Sequence, residues 1–195
     1  MKDSMTDIKY CTACGALTTE RIPVDDDHKR AVCTDCGQIH YSNPKMVVGC
    51  IPEYRGKLLL ARRNIEPRKG FWTLPAGFLE NGESVQQGAL RETLEETQAE
   101  AKIIEPYRLF NIVFVDQIYF MFRARMNSNT FGPTGESIEV RLFDEDEIPW
   151  DDIAFEVIRQ TLKHYFEDKK RGTFPFKVLD LEVPARLQNL DDNAS

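Results

Sequence analysis

The sequence predicts an α+β protein, a mixed sheet between helices preceded by a small four-cysteine unit. Three observations lead there. Cys11-Thr12-Ala13-Cys14 and Cys33-Thr34-Asp35-Cys36 form two CxxC pairs with eighteen residues between them, the spacing of a four-thiolate zinc ribbon. From residue 46 to residue 143, short apolar runs bounded by turn signals recur, which is the pattern of strands. Two helical patterns interrupt and follow those runs, one of them carrying three closely spaced carboxylates.

Taken in order, residues 1–42 read as the ribbon, with Cys11, Cys14, Cys33 and Cys36 as the zinc ligands. Gly15 and Gly37 each follow the second cysteine of a pair and supply the backbone freedom of a metal-holding turn. The interior, residues 22–30, is polar and suits a loop with a short strand. Few apolar residues occur here, so zinc is expected to supply most of the folding energy. Disulfide pairing is the alternative. Cys50 lies in an apolar run and reads as a small core residue, and His40 is a spare ligand type beside a site that four thiolates already fill.

Residues 43–171 read as the main domain and 172–195 as a C-terminal extension with a polar end. The turn Tyr41-Ser42-Asn43-Pro44 opens it. Apolar runs at 46–52 and 57–61, joined by Tyr54-Arg55-Gly56, predict a buried hairpin. Ser84 with Gln87 three residues on is a capping-box pattern and starts a helix. On it Leu90 and Leu94 are expected to face the core, opposite Glu92 and Glu96, with Gly88 on the carboxylate side leaving room for another group. Strands are expected near 101–115, 117–126 and 137–143, and a second helix from about 152 to 170 with Ile153, Val157, Leu162 and Phe166 in the core.

The carboxylates carry the chemistry. Glu92 and Glu96 stand one helical turn apart, with Glu95 beside them. Such a group repels itself unless a hard cation neutralises it, and oxygen ligands suit Mg²⁺ or Mn²⁺. With 195 residues, 42% hydrophobic and 29% charged, the chain is long enough for a substantial core. A net charge of −7 argues against broad attraction to nucleic acid or an anionic membrane. No apolar run reaches the length of a membrane span, and the polar start lacks a signal-peptide core, so the expected location is the cytoplasm.

Gly77-Phe78-Leu79-Glu80-Asn81-Gly82-Glu83 and Arg91-Glu92-Thr93-Leu94-Glu95-Glu96 together resemble the Nudix signature, with Gly77, Glu83, Arg91, Glu92, Glu95 and Glu96 in register. Thr93 stands where that signature has an apolar residue, and Gln98 where it has the glycine that ends the helix. The resemblance implies an α/β/α sandwich and a metal-dependent pyrophosphatase. It further implies Glu92 and Glu96 as direct metal ligands, Glu95 as a third or water-mediated one, and the Ala76 carbonyl as another. Arg91 is implied to pair with Glu83 and fix the loop. The family varies in its general base, so Glu136, in Gly132-Pro133-Thr134-Gly135-Glu136, is one candidate and Glu139 the next. Arg62 and Arg63 are candidates to bind a diphosphate, and Phe78, Phe110, Phe114 and Tyr119 to stack on a base or flavin.

With the ribbon in front, the chain is similar to zinc-ribbon Nudix proteins of plant plastids and bacteria that act on FAD and ADP-ribose. The stretches that carry this include 41–50 and Leu74-Pro75-Ala76-Gly77. FAD, giving FMN and AMP, and ADP-ribose are therefore the leading expected substrates. NADH pyrophosphatase is an alternative, although the Ser-Gln-Pro-Trp array of that branch is not found after residue 99. A ribbon-based nucleic-acid-binding or ligand-sensing module is the rival from another class. Homodimerisation is possible in such a family.

Overall fold

A computed structural model describes residues 8–182. The polar end expected after residue 182 lies outside the described residues. The chain forms two compact units, Met1–Pro44 and Lys45–Ser195.

The first unit holds a three-stranded antiparallel sheet of β1 (Thr18–Arg21), β2 (Arg30–Cys33) and β3 (Ile39–His40) in that order. The interior expected to contain a short strand forms turns over 22–29, and the strand starts only at Arg30. Among the described residues of this unit only Cys11, Val32 and Cys33 are fully buried, while Ile22 and Val24 face solvent. This unit has almost no apolar core.

The second unit starts with β4 (Lys45–Tyr54) and β5 (Lys57–Arg63), the expected hairpin. Its two-residue turn places both Arg55 (φ 50°) and Gly56 (φ 86°) in the left-handed region, as a type I′ turn requires. Next come β6 (Trp72–Thr73), which pairs with β5, and β7 (Ala76–Phe78), which pairs with β4. The helix α1 (Val85–Thr97) starts at the expected Ser84–Gln87 capping box. Strands β8 (Ala101–Ile112), β9 (Gln117–Met126) and β10 (Ser137–Phe143) follow, then α2 (Glu156–Arg171) and β11 (Lys177–Asp180).

The sheet runs β10-β5-β4-β9-β8-β11, with β6 and β7 attached at its side. It is mixed: β4–β9 and β8–β11 are parallel and the other pairings antiparallel. Alternate residues supply its two faces. Ile51, Leu58, Leu60 and Met121 pack with Val157, Ile158, Leu162 and Phe166 of α2, whereas Val48, Cys50, Phe122 and Ala124 pack with Ala89 of α1. Helices cover both faces, which is why β4 reads as a continuous apolar run.

The second helix starts four residues later than its pattern predicts. Ile153 bridges to Trp72 and the Ala154 amide donates to the Trp72 carbonyl, so these residues serve β6 rather than the helix. No helix among the described residues is long and apolar enough to cross a membrane.

Candidate active site

In the first unit the four thiol sulfurs lie within 4.8 Å of one another. Cys11–Cys36 is 3.7 Å, Cys14–Cys33 3.4 Å and Cys14–Cys36 3.5 Å, too long for disulfides. Four ligands at about 2.3 Å around a tetrahedral zinc stand about 3.8 Å apart, so the donor set fits that ion. Backbone amides support the sulfurs: Ala13 donates to Cys11, and Asp35 and Cys36 to Cys33, each at 3.4 Å. The Cys36 and Asp35 amides draw the Cys33 thiol down to about 6 against the effect of burial. Gly15 (φ 77°) and Gly37 (φ 73°) adopt the left-handed turns their places predict.

In the second unit, Glu83 and Arg91 form the frame. Arg91 Nε donates to Glu83 Oε2 at 3.0 Å and Arg91 Nη2 to Oε1 at 2.8 Å, a bidentate pair. Glu83 also accepts the Glu80 amide at 2.7 Å, and Arg91 reaches the Phe78 carbonyl at 3.1 Å. The guanidinium holds the Glu83 carboxyl down to about 2. The group that comes close to Gly88 is this loop: a Cβ there would stand 2.7 Å from Glu83 Oε1 and 3.0 Å from Leu79. The space at Gly88 thus admits the frame rather than a ligand.

The carboxylates sit on the buried face of α1, contrary to the expectation that they oppose the core. Glu92 and Glu96 are 9% and 6% exposed, whereas Leu94 is 49% exposed. The helix buries Gly88, Ala89, Glu92, Thr93, Glu96 and Thr97, so its small and polar residues lie against the sheet. Gly77 makes this possible. A Cβ on Gly77 would stand 2.3–2.4 Å from the Glu92 carboxylate, so only glycine leaves it a place. Thr93, in the usually apolar position, is fully buried and satisfied, its hydroxyl donating to the Ala89 carbonyl at 2.8 Å.

Arg91 also donates to Glu92 at 2.7 Å and to Glu95 at 2.9 Å, and the Ala76 amide donates to Glu96 at 3.1 Å. Glu96 has no ion-pair partner among the described residues. Burial, then the charges of Glu92 and Glu136, push its carboxyl up to about 8, against the lowering effect of the Ala76 amide and Arg63. Burial likewise raises Glu92, against the pull of Arg91. Glu92, Glu95 and Glu96 do not gather their oxygens within 4.8 Å as the cysteines gather their sulfurs; Arg91 holds the first two and the Ala76 amide the third.

The other expected site residues divide. Arg62 and Arg63 are neighbours on a strand and project to opposite faces. Arg62 lies 3.7 Å from Glu139, its cross-strand partner, and bonds the Gly70 carbonyl. Arg63 lies over the Phe155 ring at 5.1 Å and its charge reaches Glu96 and Tyr119. Glu136 belongs with the second group, since its charge acts on Glu92 and Glu96. Phe78 is 49% exposed beside Lys45, whose Nζ stands 5.4 Å from the ring. Phe110 is buried and stacked on His164, and Phe114 and Tyr119 pack against the same core. Phe155 and the loop contact of Gln98 (its Nε2 to the Pro133 carbonyl, 2.6 Å) carry no motif signal that would have marked them in the sequence.

A NUDIX domain profile matches residues 43–165, and a Nudix N-terminal zinc-ribbon profile matches residues 9–42. The chain belongs to the Nudix hydrolase family. A solved NUDIX hydrolase from Nitrosomonas europaea is 48% identical, with a TM-score of 0.86, covering 89% of this chain and 99% of that one. A Vibrio atlanticus protein named NAD-capped RNA hydrolase NudC is 26% identical over 178 residues, 89% of this Nudix chain and 63% of that relative. An ADP-ribose pyrophosphatase from Methanocaldococcus jannaschii is 44% identical over 57 residues, 29% of this chain and 34% of that protein. The chain spans about half the length of several curated Nudix relatives it matches.

Proposed function

We propose that the chain hydrolyses the phosphoanhydride bond of a nucleoside diphosphate joined to a second group, with FAD or ADP-ribose as the leading substrates. The observation that carries this is Glu96, a buried carboxyl without a cationic side-chain partner among the described residues, on one helix face with Glu92, whose carboxylate fills the space that Gly77 leaves open. A buried carboxylate pair is stable in ionised form only with a cation. The oxygen donors fit Mg²⁺ or Mn²⁺, held by Glu92 and Glu96, with Glu95 and the Ala76 carbonyl completing the set. Such an ion, when bound, offsets phosphate charge and lowers the pKa of water.

The chain's own residues do the rest. Arg91 and Glu83 fix the loop that carries Gly77 and Phe78 against α1. Arg63, whose charge reaches the Glu96 carboxyl, receives the diphosphate, while Arg62 is engaged with Glu139 on the other face of the strand. Glu136, whose charge already acts on the two buried carboxyls, takes the proton of the attacking water, with Glu139 the next candidate. Phe78, exposed at the end of β7, offers a face for a base or flavin ring.

A second reading comes from the relatives named NAD-capped RNA hydrolase, which favour NAD(H) as the dinucleotide. Incubation with Mg²⁺ or Mn²⁺ and a panel of FAD, ADP-ribose and NADH, followed by product separation, tests both. AMP with FMN or ribose phosphate supports the first reading; AMP with a nicotinamide mononucleotide supports the second. No AMP from any of them, together with salt-dependent binding to nucleic acid, points to a binding module instead.

A further inference from the structure

Gln98 occupies the place where the signature has its closing glycine, and it makes two separate contributions. Its backbone takes the left-handed conformation (φ 58°) that ends α1, its amide donating to the Leu94 carbonyl at 2.8 Å. That conformation disfavours a residue with a Cβ, and glycine or asparagine adopts it with less strain. Its side chain does what glycine cannot: Nε2 donates to the Pro133 carbonyl at 2.6 Å, across 35 positions of chain. Gly132 lies below the amide, where an added Cβ would stand 3.5 Å from Nε2.

Residues 132–136 form the loop that carries Glu136, and other bonds hold it at both edges. The Gly132 amide donates to the Thr97 carbonyl at 2.9 Å, and the Ser137 hydroxyl to the Glu96 carbonyl at 2.7 Å. Asn64, just after β5, donates from Nδ2 to the Gly135 carbonyl at 3.0 Å and from its amide to the Glu136 carbonyl at 2.8 Å. Inside the loop the Glu136 amide donates to Thr134 Oγ1 at 3.1 Å. Between these edges, Pro133 is secured by Gln98. A strained backbone retained at a functional element, with the side chain used as a clamp, is an outlier that calls for a role.

We infer that Gln98 is a positioning residue whose side-chain amide fixes residues 132–136 and thereby sets the place of Glu136. This rests on Glu136 acting as the base, and it extends that reading to a position where this chain departs from the Nudix motif. If Gln98 were only a helix cap, the glycine of the motif would serve as well or better. Displacing a reacting group by about 1 Å can cost up to about a hundredfold in rate, so losing the clamp has a measurable effect.

The test compares Gln98→Gly, Gln98→Asn, Glu136→Gln and the double variant Gln98→Gly/Glu136→Gln, using whichever nucleotide the wild type cleaves. Gln98→Gly relieves the backbone and should melt no lower than wild type, yet lose about tenfold in kcat with little change in KM. Gln98→Asn keeps a residue suited to the left-handed turn but is one methylene short, so it should match the glycine variant. Amide exchange in 132–136 should quicken in both. In the Glu136→Gln background, Gln98→Gly should change kcat no further. Normal kcat in Gln98→Gly, unchanged exchange, or a full additional loss in the double variant would each overturn the inference while leaving Glu136 in its role. Wild-type kcat in Glu136→Gln would instead remove the base assignment, and the positioning role with it.

Discussion

The helices α1 and α2 cover opposite faces of one sheet and are built on opposite terms. The buried side of α2 is mostly Val157, Ile158, Leu162, Tyr165 and Phe166, apolar bulk that stabilises the fold by leaving water, with Thr161 and the Arg108-paired Asp168 as its two polar members. The buried side of α1 is Gly88, Ala89, Glu92, Thr93, Glu96 and Thr97, with little apolar area to contribute. What holds α1 is a capping box at its start, the Arg91–Glu83 pair along its side, and hydroxyls turned back onto its own carbonyls. The difference teaches that α1 is placed by polar contacts so that carboxylates can occupy a buried face, and α2 supplies the apolar packing on the other side.

The sharpest way to break this comparison is Glu96→Gln. If α1 exists to present carboxylates, turnover should fall by at least about a hundredfold, since the lost charge stabilisation is several kcal/mol. Stability should hold or rise, because an uncompensated buried acid has been removed. Near-normal turnover would sink the metal-ligand role. Leu162→Ala is the counterpart on α2. Leu162 is fully buried, and its truncation should cost about 2–5 kcal/mol of stability, read from denaturant melts, while folded molecules retain their kcat. A loss of kcat without a loss of stability would show that α2 serves the site and that the division is false.

The same contrast explains how much was legible in the sequence. The α2 core positions Val157, Leu162 and Phe166 were readable because apolar periodicity reports burial directly, and all three are buried; Ile153, read with them, is buried too but beside β6. On α1 that rule misdirected. Leu90 packs against the core as read, but Leu94 reads as core and is half exposed, whereas Glu92 and Glu96 read as solvent-facing and are buried. Periodicity assumes that apolar residues decide which face packs; here Gly77, Gly88 and the Arg91 frame decide it, and those are close-approach effects with no hydrophobic signal. The four cysteines and the hairpin were readable for the opposite reason, since ligand spacing and turn chemistry are local. The separation of Arg62 from Arg63 follows from strand alternation, once β5 is known to run through both. The Gln98–Pro133 bond joins positions 35 apart through one side chain and a carbonyl, and no pattern in one sequence encodes that.

A smaller effect sharpens the comparison through pH. Glu96 is raised from an ordinary 4.5 to about 8 in the folded chain, so the unfolded chain sheds this proton first. Its contribution to stability is therefore full below about 4.5 and declines as pH rises towards 8. Thermal melts of the wild type and of Glu96→Gln from pH 5 to pH 8 should show a steeper decline in the wild type, the raised Glu92 leaving a smaller one in the variant. Added Mg²⁺ binds the ionised form, so it should raise the wild-type Tm more at pH 8 than at pH 5. Equal shifts at both pH values would mean that the cation does not engage Glu96.

The smallest effect is expected at Thr93→Val. Thr93 stands fully buried on α1 where the family has an apolar residue, and its hydroxyl donates to the Ala89 carbonyl at 2.8 Å, one turn back. That carbonyl is also the acceptor for the helix's own i→i−4 amide, so removing the hydroxyl leaves no orphaned group. Valine has nearly the same shape, and losing a donor along with its need for a partner is close to neutral. The change should therefore alter stability by less than about 1 kcal/mol and leave kcat unchanged. A larger loss would mean that the hydroxyl holds more than its own helix. The nearest group to examine is then Cys50, whose buried thiol also points at the Ala89 carbonyl, at 3.4 Å, and which would share the vacated acceptor.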